Sequence, residues 1–293
     1  MKISAATLIG NAIKFDYPIV ESIKSLEPYV DEYVVNLKAD SEDETEKLIM
    51  DNFGSNPKFK IFKSVWEGKD QGMAFFRNQT NKALDQCTGD WVFYLQGDEC
   101  VHEDEMKNLR SIIEEADTAG KVAIAMNFLH FEKNYSKIKK NYSEGFDAYE
   151  KEVRIIKNGI GIRSSGDAMG FCYTQGPLAG QPVFINGIWG FGGAGDTGPA
   201  SETLYRVSKL NMYHYGYIKK EETMLEKKLY LKEFYFSDPA MTEELKIIEN
   251  GKIRSNGNKY KYSRQLNNFT GTHPSSMKER IEKFNKENPN LLD

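Results

Sequence analysis

The stretch Gly89-Asp90-Trp91-Val92-Phe93-Tyr94-Leu95-Gln96-Gly97-Asp98-Glu99 decides the fold. Residues 91–96 are apolar on both faces, the pattern of a central strand in a parallel sheet with helices above and below it. The strand runs directly into a glycine and two acids. Open α/β sheets bind ligands at the carboxyl ends of their strands, so this segment delivers carboxylates to the crevice.

Working outward, the same alternation continues on both sides. Residues 3–9 (ISAATLI) are a short buried strand ending in the turn Gly10-Asn11. Ile19, Val20, Ile23 and Leu26 recur at helical spacing, and Pro18 is tolerated in the first turn. Residues 32–37 form a second strand. Asp40-Ser41-Glu42-Asp43 then supplies capping residues for a helix carrying Leu48 and Ile49. A third strand is predicted over 59–62 and a helix along Met73, Phe76, Thr80 and Leu84. Beyond the central strand come a helix over 103–116 and a strand over 122–128. Strands alternating with helices predict an α/β fold with a mostly parallel sheet flanked by helices. After about residue 131 the pattern changes. Residues 133–200 are rich in Gly, Asn and Tyr, with a short strand over 153–156, and WGFGGAGDTGP (189–199) reads as a loop. A strand over 204–213 leads into Tyr213-His214-Tyr215-Gly216-Tyr217, and helical pieces follow over 221–236, 241–250 and 276–285.

Composition narrows the class. The 293 residues carry a formal net charge of −4, with 40% hydrophobic and 28% charged residues, as in an ordinary globular protein. That balance gives no support to nucleic-acid binding. Lys137, Lys139 and Lys140 form one small basic cluster, read as a solvated loop. Three cysteines, Cys87, Cys100 and Cys172, show neither metal-type spacing nor a disulfide framework. The first residues lack a signal-peptide pattern, and no apolar run reaches the ~18 residues of a membrane span. The expectation is a cytoplasmic protein, peripheral at the membrane at most. The 16 tyrosines and 17 phenylalanines fill a core, but such rings also cover the apolar face of sugars.

Four groups carry chemistry. Asp98, projecting from a strand end, suits a hard Mg²⁺ or Mn²⁺ ion that takes few protein oxygens and completes its shell from phosphate and water. The same acids also suit the start of the following helix. His214 ends a strand among tyrosines; it is a structural histidine unless it faces Asp98. In Asp40-Ser41-Glu42-Asp43-Glu44-Thr45, helix capping explains Ser41 and Asp43 and leaves Asp40 to accept hydrogen bonds from a base or ribose. Trp66-Glu67-Gly68, Gln71-Gly72 and Arg77-Asn78 bring an arginine fork near a helix start, suited to phosphate or to a solvated face.

The order and spacing of these groups resemble the family 2 glycosyltransferases, inverting enzymes of the GT-A fold. The resemblance begins with ISAATLIGNAIKFDYPIVESIKSLEPYVDEYVVNLKADSEDET and continues through Arg77-Asn78 and GDWVFYLQGDE, which matches a D-x-D region. EKEVRIIKNGIGIRSSGDAMGF (150–171) and YHYGYIK (213–219) resemble a bacterial subgroup with E-V-R, G-D-A-x-G-F and H-Y-G segments. GTHP (271–274) also resembles that subgroup. Two positions depart from the pattern. Gln96 stands at the first D-x-D position, leaving Asp98 as principal ligand with Glu99 beside it, and Asn36 replaces an acid after the second strand. The segment 176–199 is longer and richer in glycine than the subgroup's, which places acceptor preference there.

The resemblance implies a GT-A domain over 1–218, with a nucleotide-sugar half (1–130) and an acceptor half (131–218), and a C-terminal helical extension over 219–293. It implies Mn²⁺ or Mg²⁺ held by Asp98 and His214. Thr7, Asn11, Asp40, Arg77, Gln96, Gly97 and Lys220 would hold a nucleotide-diphosphate sugar, with uridine as the default base. Asp167 would be the catalytic base, with Glu152 beside Arg154 as the alternative. The acceptor would be a hydroxyl of a glycan or glycoconjugate. A nucleotidyltransferase is disfavoured, because LIGNAIKFD lacks the Gly- and Arg-rich loop that cradles a triphosphate. A non-catalytic sugar-nucleotide binder and a transferase with an unusual acceptor, such as a modified nucleic-acid base, remain as alternatives.

Overall fold

The computed structural model describes residues 1–66, 74–139, 150–166, 168, 170–181, 183, 204–232 and 266–291. β1 (Ile3–Ile9), β2 (Glu32–Lys38), β3 (Phe59–Ser64) and β4 (Trp91–Tyr94) are parallel and lie in the order β3-β2-β1-β4. Helices α1 (Ile19–Leu26), α2 (Thr45–Phe53) and α3 (Ala74–Leu84) connect them. β1, β2 and β4 are buried on both faces, as their continuous apolar runs require, whereas the edge strand β3 is half-exposed. Ile3, Ala5 and Ile9 of β1 share a core with Ile19, Ile23 and Leu26 of α1 and Ile49 of α2. Ala6 and Val34 face the other way, toward Ala83 and Leu84 of α3.

The second half of the sheet is mixed. β8 (Lys151–Lys157) is antiparallel both to β4 and to β6 (Ala123–Glu132). β11 (Leu204–Tyr217) runs parallel to β6 and antiparallel to the short β5 (Glu99–Val101). The strand expected over 91–96 therefore ends at Tyr94. The chain turns over 96–99, where Glu99 N donates to Gln96 O at 3.0 Å, and resumes as β5 beside β11. The helix expected over 103–116 is two, α4 (Glu103–Met106) and α5 (Leu109–Thr118). His102 caps α4, its Nδ1 accepting from Asp104 N at 3.1 Å. A hairpin of β9 (Ile162–Ser165) and β10 (Gly170–Tyr173) packs on α3, where Asn81 Oδ1 accepts from Ser164 N at 2.9 Å.

The C-terminal residues are tied into this frame. β12 (Leu266–Asn268) pairs with β7 (Lys137–Lys139), and α7 (Lys278–Glu287) follows a short turn. Phe131, Tyr135, Tyr213, Tyr215 and Met277 form a separate core with Phe269 and Phe284. His273 of the GTHP segment locks it. Its Nε2 lies 2.8 Å from Tyr135 O, a carbonyl that only accepts, so Nε2 carries the proton. Nδ1 is then the acceptor for the Tyr215 hydroxyl, 2.8 Å away. Arg280 of α7 bonds Asp16 O at 3.1 Å and pairs with its carboxylate. The helix expected over 241–250 lies outside the described residues. Among the described residues no helix is long and apolar enough to cross a membrane.

At the centre lies a fully buried ion pair. Arg154 of β8 donates from Nη2 to Glu99 Oε1 (2.7 Å) and from Nε to Glu99 Oε2 (3.0 Å), both side chains being 0% exposed. Nη1 donates to Val153 O at 3.1 Å, and the guanidinium carbon lies 5.0 Å from the Phe128 ring centre. Glu99 Oε2 also accepts from Gln96 N at 3.0 Å. Removing one partner leaves a buried charge alone. Glu99→Gln is expected to lose about 3–5 kcal/mol of stability by urea denaturation. A Glu99→Leu/Arg154→Leu double variant is expected to recover part of that loss, because it strands no charge.

Candidate active site

The cleft opens at the carboxyl ends of β1 and β4, with a volume of about 210 Å³. Its floor is Leu8, Ile9 and Gly10 after β1 and Gln96, Gly97 and Asp98 after β4; Phe15, Tyr17 and Trp66 line its sides. Helix α6 (Glu221–Lys232) closes it from above with Lys227, Tyr230 and Leu231.

Local sequence explains the floor. Asn11 takes a left-handed conformation (φ 53°), which asparagine tolerates better than most residues. Its Oδ1 accepts from Glu42 N at 2.7 Å. Thr45 Oγ1 accepts from Ala12 N (2.7 Å) and Asp43 Oδ2 from Lys14 N (2.7 Å). The Ser41–Thr45 motif thus clamps the loop after β1. The expected cap of α2 is only partly there: Glu44 holds the N-cap position with no side-chain cap bond, Asp43 Oδ1 accepts from Thr45 N at 3.0 Å, and Ser41 donates to Lys38 O instead. Gly10 is needed because a Cβ there would lie 2.6 Å from Lys38 Cβ. Lys38 Nζ bonds Asp40 O at 2.8 Å and pairs with its carboxylate at 3.0 Å, and the Asp40 side chain is exposed.

Asp98 and His214, far apart in sequence, meet because β5 and β11 are neighbours. Tyr215 N donates to Asp98 O at 2.8 Å. His214 and Tyr217 of β11 pair with His130 and Glu132 of β6, so β11 carries one extra residue between them. Such a bulge re-aims side chains. It places Gly216 under the two functional groups, where a Cβ would stand 2.7 Å from both Asp98 Oδ2 and His214 Nε2. Only glycine leaves that space open.

His214 Nε2 is 3.7 Å from Asp98 Oδ2, too long for a hydrogen bond, whereas its Nδ1 is 3.1 Å from His130 Nδ1. His130 is buried and gave no signal in the sequence, since it sits mid-strand without a motif. The pair orients His214 through the nitrogen away from Asp98, as second partners of metal-binding histidines do. Burial pushes the His214 imidazole down, against the pull of Asp98 and Glu99, so it is neutral near pH 7. Burial pushes the Asp98 carboxyl up. The charges of His214 when protonated, Lys227 and Lys219 outweigh that and hold it below the usual carboxylate range. Burial and the neighbouring Lys227 bring the Lys219 amine down to about 7.

A divalent cation fits these residues. One carboxylate oxygen and one neutral imidazole nitrogen converge on the space above Gly216. Among the described residues no set of three or more His, Cys, Asp or Glu side chains is grouped to hold a metal. Further ligands would come from phosphate and water, as is common for Mg²⁺ and Mn²⁺.

The remaining expected residues are distributed around the cleft. Gln96 lines it and donates from Nε2 to Ala168 O at 3.1 Å. Thr7 is buried in β1, and its Oγ1 has no hydrogen-bond partner. Arg77 lies on α3, close enough to Cys172 of β10 for its charge to offset part of the burial that pushes that thiol up. Lys220 is exposed at the start of α6. The lysines whose charge acts on the Asp98 carboxylate are Lys227 and Lys219; the sequence singled out Lys220 instead, and no motif marks Lys227. Glu99 does not stand beside Asp98 in the cleft; it turns into the core toward Arg154. Glu152 is buried beside Gly170 of β10, whose Cβ would lie 3.8 Å from Glu152 Oε2. Asp167 lies outside the described residues, as do Glu67, Gly68, Gln71 and Gly72 and most of 176–199.

The cleft lies at strand ends, where open α/β sheets bind ligands, and its charged lining among the described residues is Asp98 and Lys227. The chain belongs to glycosyl transferase family 2, whose sequence profile matches residues 17–173. Its architecture is the GT-A α/β fold expected from the sequence. It is similar to Staphylococcus aureus TarS residues 1–349 solved with UDP (20% identity, 48% of this chain and 38% of that one, TM-score 0.35). It is also similar to the same protein solved with UDP-GlcNAc (15% identity, 88% and 75%, TM-score 0.44). A third likeness is to glucosyl-3-phosphoglycerate synthase from Mycobacterium tuberculosis, solved with Mn²⁺, UDP and glucosyl-3-phosphoglycerate (17% identity, 43% and 44%, TM-score 0.32). The chain spans less than half the length of the first and third of these structures. A search of the curated proteins finds no match.

Gly216→Ala tests the geometry. The variant is expected to fold, because the strand conformation accepts alanine, with a melting temperature lowered by the displacement of Asp98 and His214 that the added Cβ forces. Its Mn²⁺ affinity is expected to fall about tenfold or more, as when the support of a metal ligand is lost. Isothermal titration with Mn²⁺ checks both arms alongside a thermal melt.

Proposed function

We propose that the protein is a divalent-cation-dependent, inverting glycosyltransferase. It would move a sugar from a nucleoside diphosphate, with uridine the base implied by the family resemblance, to a hydroxyl of a glycan or glycoconjugate. The observation that carries this reading is the convergence of Asp98 and His214 Nε2 above Gly216 in a cleft whose other charged wall is Lys227. The reading takes 1–218 as the catalytic domain and 219–293 as its C-terminal extension.

Asp98 and His214 would hold the cation, with His130 fixing the imidazole. A bound cation would supply Lewis-acid stabilisation of the charge on the leaving diphosphate. Gln96 and Gly97 line the donor cleft, and the Thr7 backbone, Asn11 and Asp40 are assigned to the nucleoside side. Arg77 and Lys220 are assigned to the donor's outer charge. In the transfer, the acceptor oxygen bonds the anomeric carbon as the bond from that carbon to the diphosphate oxygen breaks. The nucleoside diphosphate leaves with the electron pair, and the hydroxyl proton passes to a carboxylate. Asp167 is the proposed base. Its neighbours Gly166 and Ala168 have φ values of +57° and +55°, and Ala168 lines the cleft. Glu152 is the second candidate.

Thermal stabilisation by nucleotide diphosphates tests the donor site. Uridine diphosphate with Mn²⁺ is expected to raise the melting temperature of the parent, and to lose that effect with EDTA or in Asp98→Ala. Stabilisation by none of the nucleotides would sink the reading. Asp167→Asn is expected to retain donor binding and lose transfer by about 10²-fold or more, within the usual range for a general base. Full turnover in that variant, with loss in Glu152→Gln, would move the role to Glu152.

A further inference from the structure

Asp98 has a neighbour that the metal reading does not use. Lys227 Nζ lies 3.8 Å from Asp98 Oδ2, the same oxygen that faces His214 Nε2 at 3.7 Å. It reaches down from α6, on the wall opposite the β4–β5 turn, and stands 4.7 Å from the Tyr17 ring centre. The helix is held over the cleft by other contacts. Glu226 pairs with Lys14 at 3.3 Å, and the Tyr230 ring lies 5.0 Å from that of Phe15. Lys219 is anchored elsewhere, donating to Phe15 O at 2.7 Å and Asp16 O at 2.8 Å. Lys227 is thus the ammonium directed at the carboxylate.

A cation coordinated by Asp98 would approach its oxygen to about 2 Å. A divalent charge there repels an ammonium directed at the same oxygen, and between side chains only 18% and 11% exposed that repulsion is not small. The incoming diphosphate carries the opposite charge and enters the same space. We propose that Lys227 and the divalent cation are alternative partners of Asp98. In the free protein Lys227 neutralises the carboxylate; when the cation takes Asp98, the ammonium turns to the donor's diphosphate. This rests on the nucleotide-donor reading above. It makes Lys227 a donor-binding residue that also keeps Asp98 paired while the cleft is empty of ligand.

The exchange has a signature of opposite signs. Lys227→Gln removes the competitor, so Mn²⁺ alone is expected to bind about threefold or more tightly than to the parent. The same variant lacks a charged contact to phosphate, so uridine diphosphate with saturating Mn²⁺ is expected to bind about tenfold more weakly. Free Mn²⁺ is read by electron paramagnetic resonance and the nucleotide by calorimetry. Lys227→Arg, which keeps the charge, is expected to stay nearer the parent in both. Weaker binding of both ligands by Lys227→Gln, with a lowered melting temperature, would make Lys227 a support for α6 and overturn the exchange. Unchanged binding of both would overturn it as well. If the parent itself binds no nucleotide under any condition, the donor reading fails and the diphosphate half of the exchange fails with it. Nucleotide binding that is intact in the parent and unaffected in Lys227→Gln overturns the exchange alone.

Discussion

The Glu99–Arg154 pair is the constraint on which the site depends. Glu99 follows Asp98 directly, and its carboxylate is fixed at both oxygens by one guanidinium and by Gln96 N. The turn between β4 and β5 is therefore closed from inside the core. With the backbone of 96–99 held in that way, Asp98 faces the cleft. A buried pair of this kind contributes little net stability compared with apolar side chains. Its consequence is positional: two acids adjacent in sequence have opposite fates, one in the core and one in the cleft.

The second wall of the site is built by strands that arrive late in the chain. β11 brings His214 beside β5, the bulge before Tyr217 supplies the Gly216 space, and His130 of the neighbouring strand orients the imidazole. The C-terminal segment then braces this wall. His273 joins Tyr215 to Tyr135, and Arg280 reaches the loop after β1 at Asp16. One segment thus touches both rims of the cleft. Helix α6 completes the enclosure and contributes positive charge facing the one carboxylate, which gives the cleft a field suited to a phosphorylated ligand.

Much of the parallel half was legible, because apolar strands covered on both faces and amphipathic helices leave periodic patterns. Ile3–Ile9 begins and ends where its apolar run does. The early stop of β4 was not legible, since Leu95 continues the apolar run while the turn is held by the partner of Glu99 on a distant strand. The hairpin of β9 and β10 was also missed; its short strands alternate weakly and gain their burial from α3. In the site, Asp98 and His214 were recognisable as residue types after strands. His130 and Lys227 were not, because each matters only through what lies opposite it.

The sequence by itself determined the class of fold, the family, and the identity of the acid at the end of the central strand. These are local properties: periodic burial along one strand or helix and the order of motifs. The tertiary structure alone decided that Glu99 belongs to the core, that His214 is turned toward Asp98 by His130, and that a lysine from α6 shares that carboxylate. Each of these rests on a contact between segments far apart in the chain. Such contacts are set by strand pairing and packing, and no local pattern encodes them.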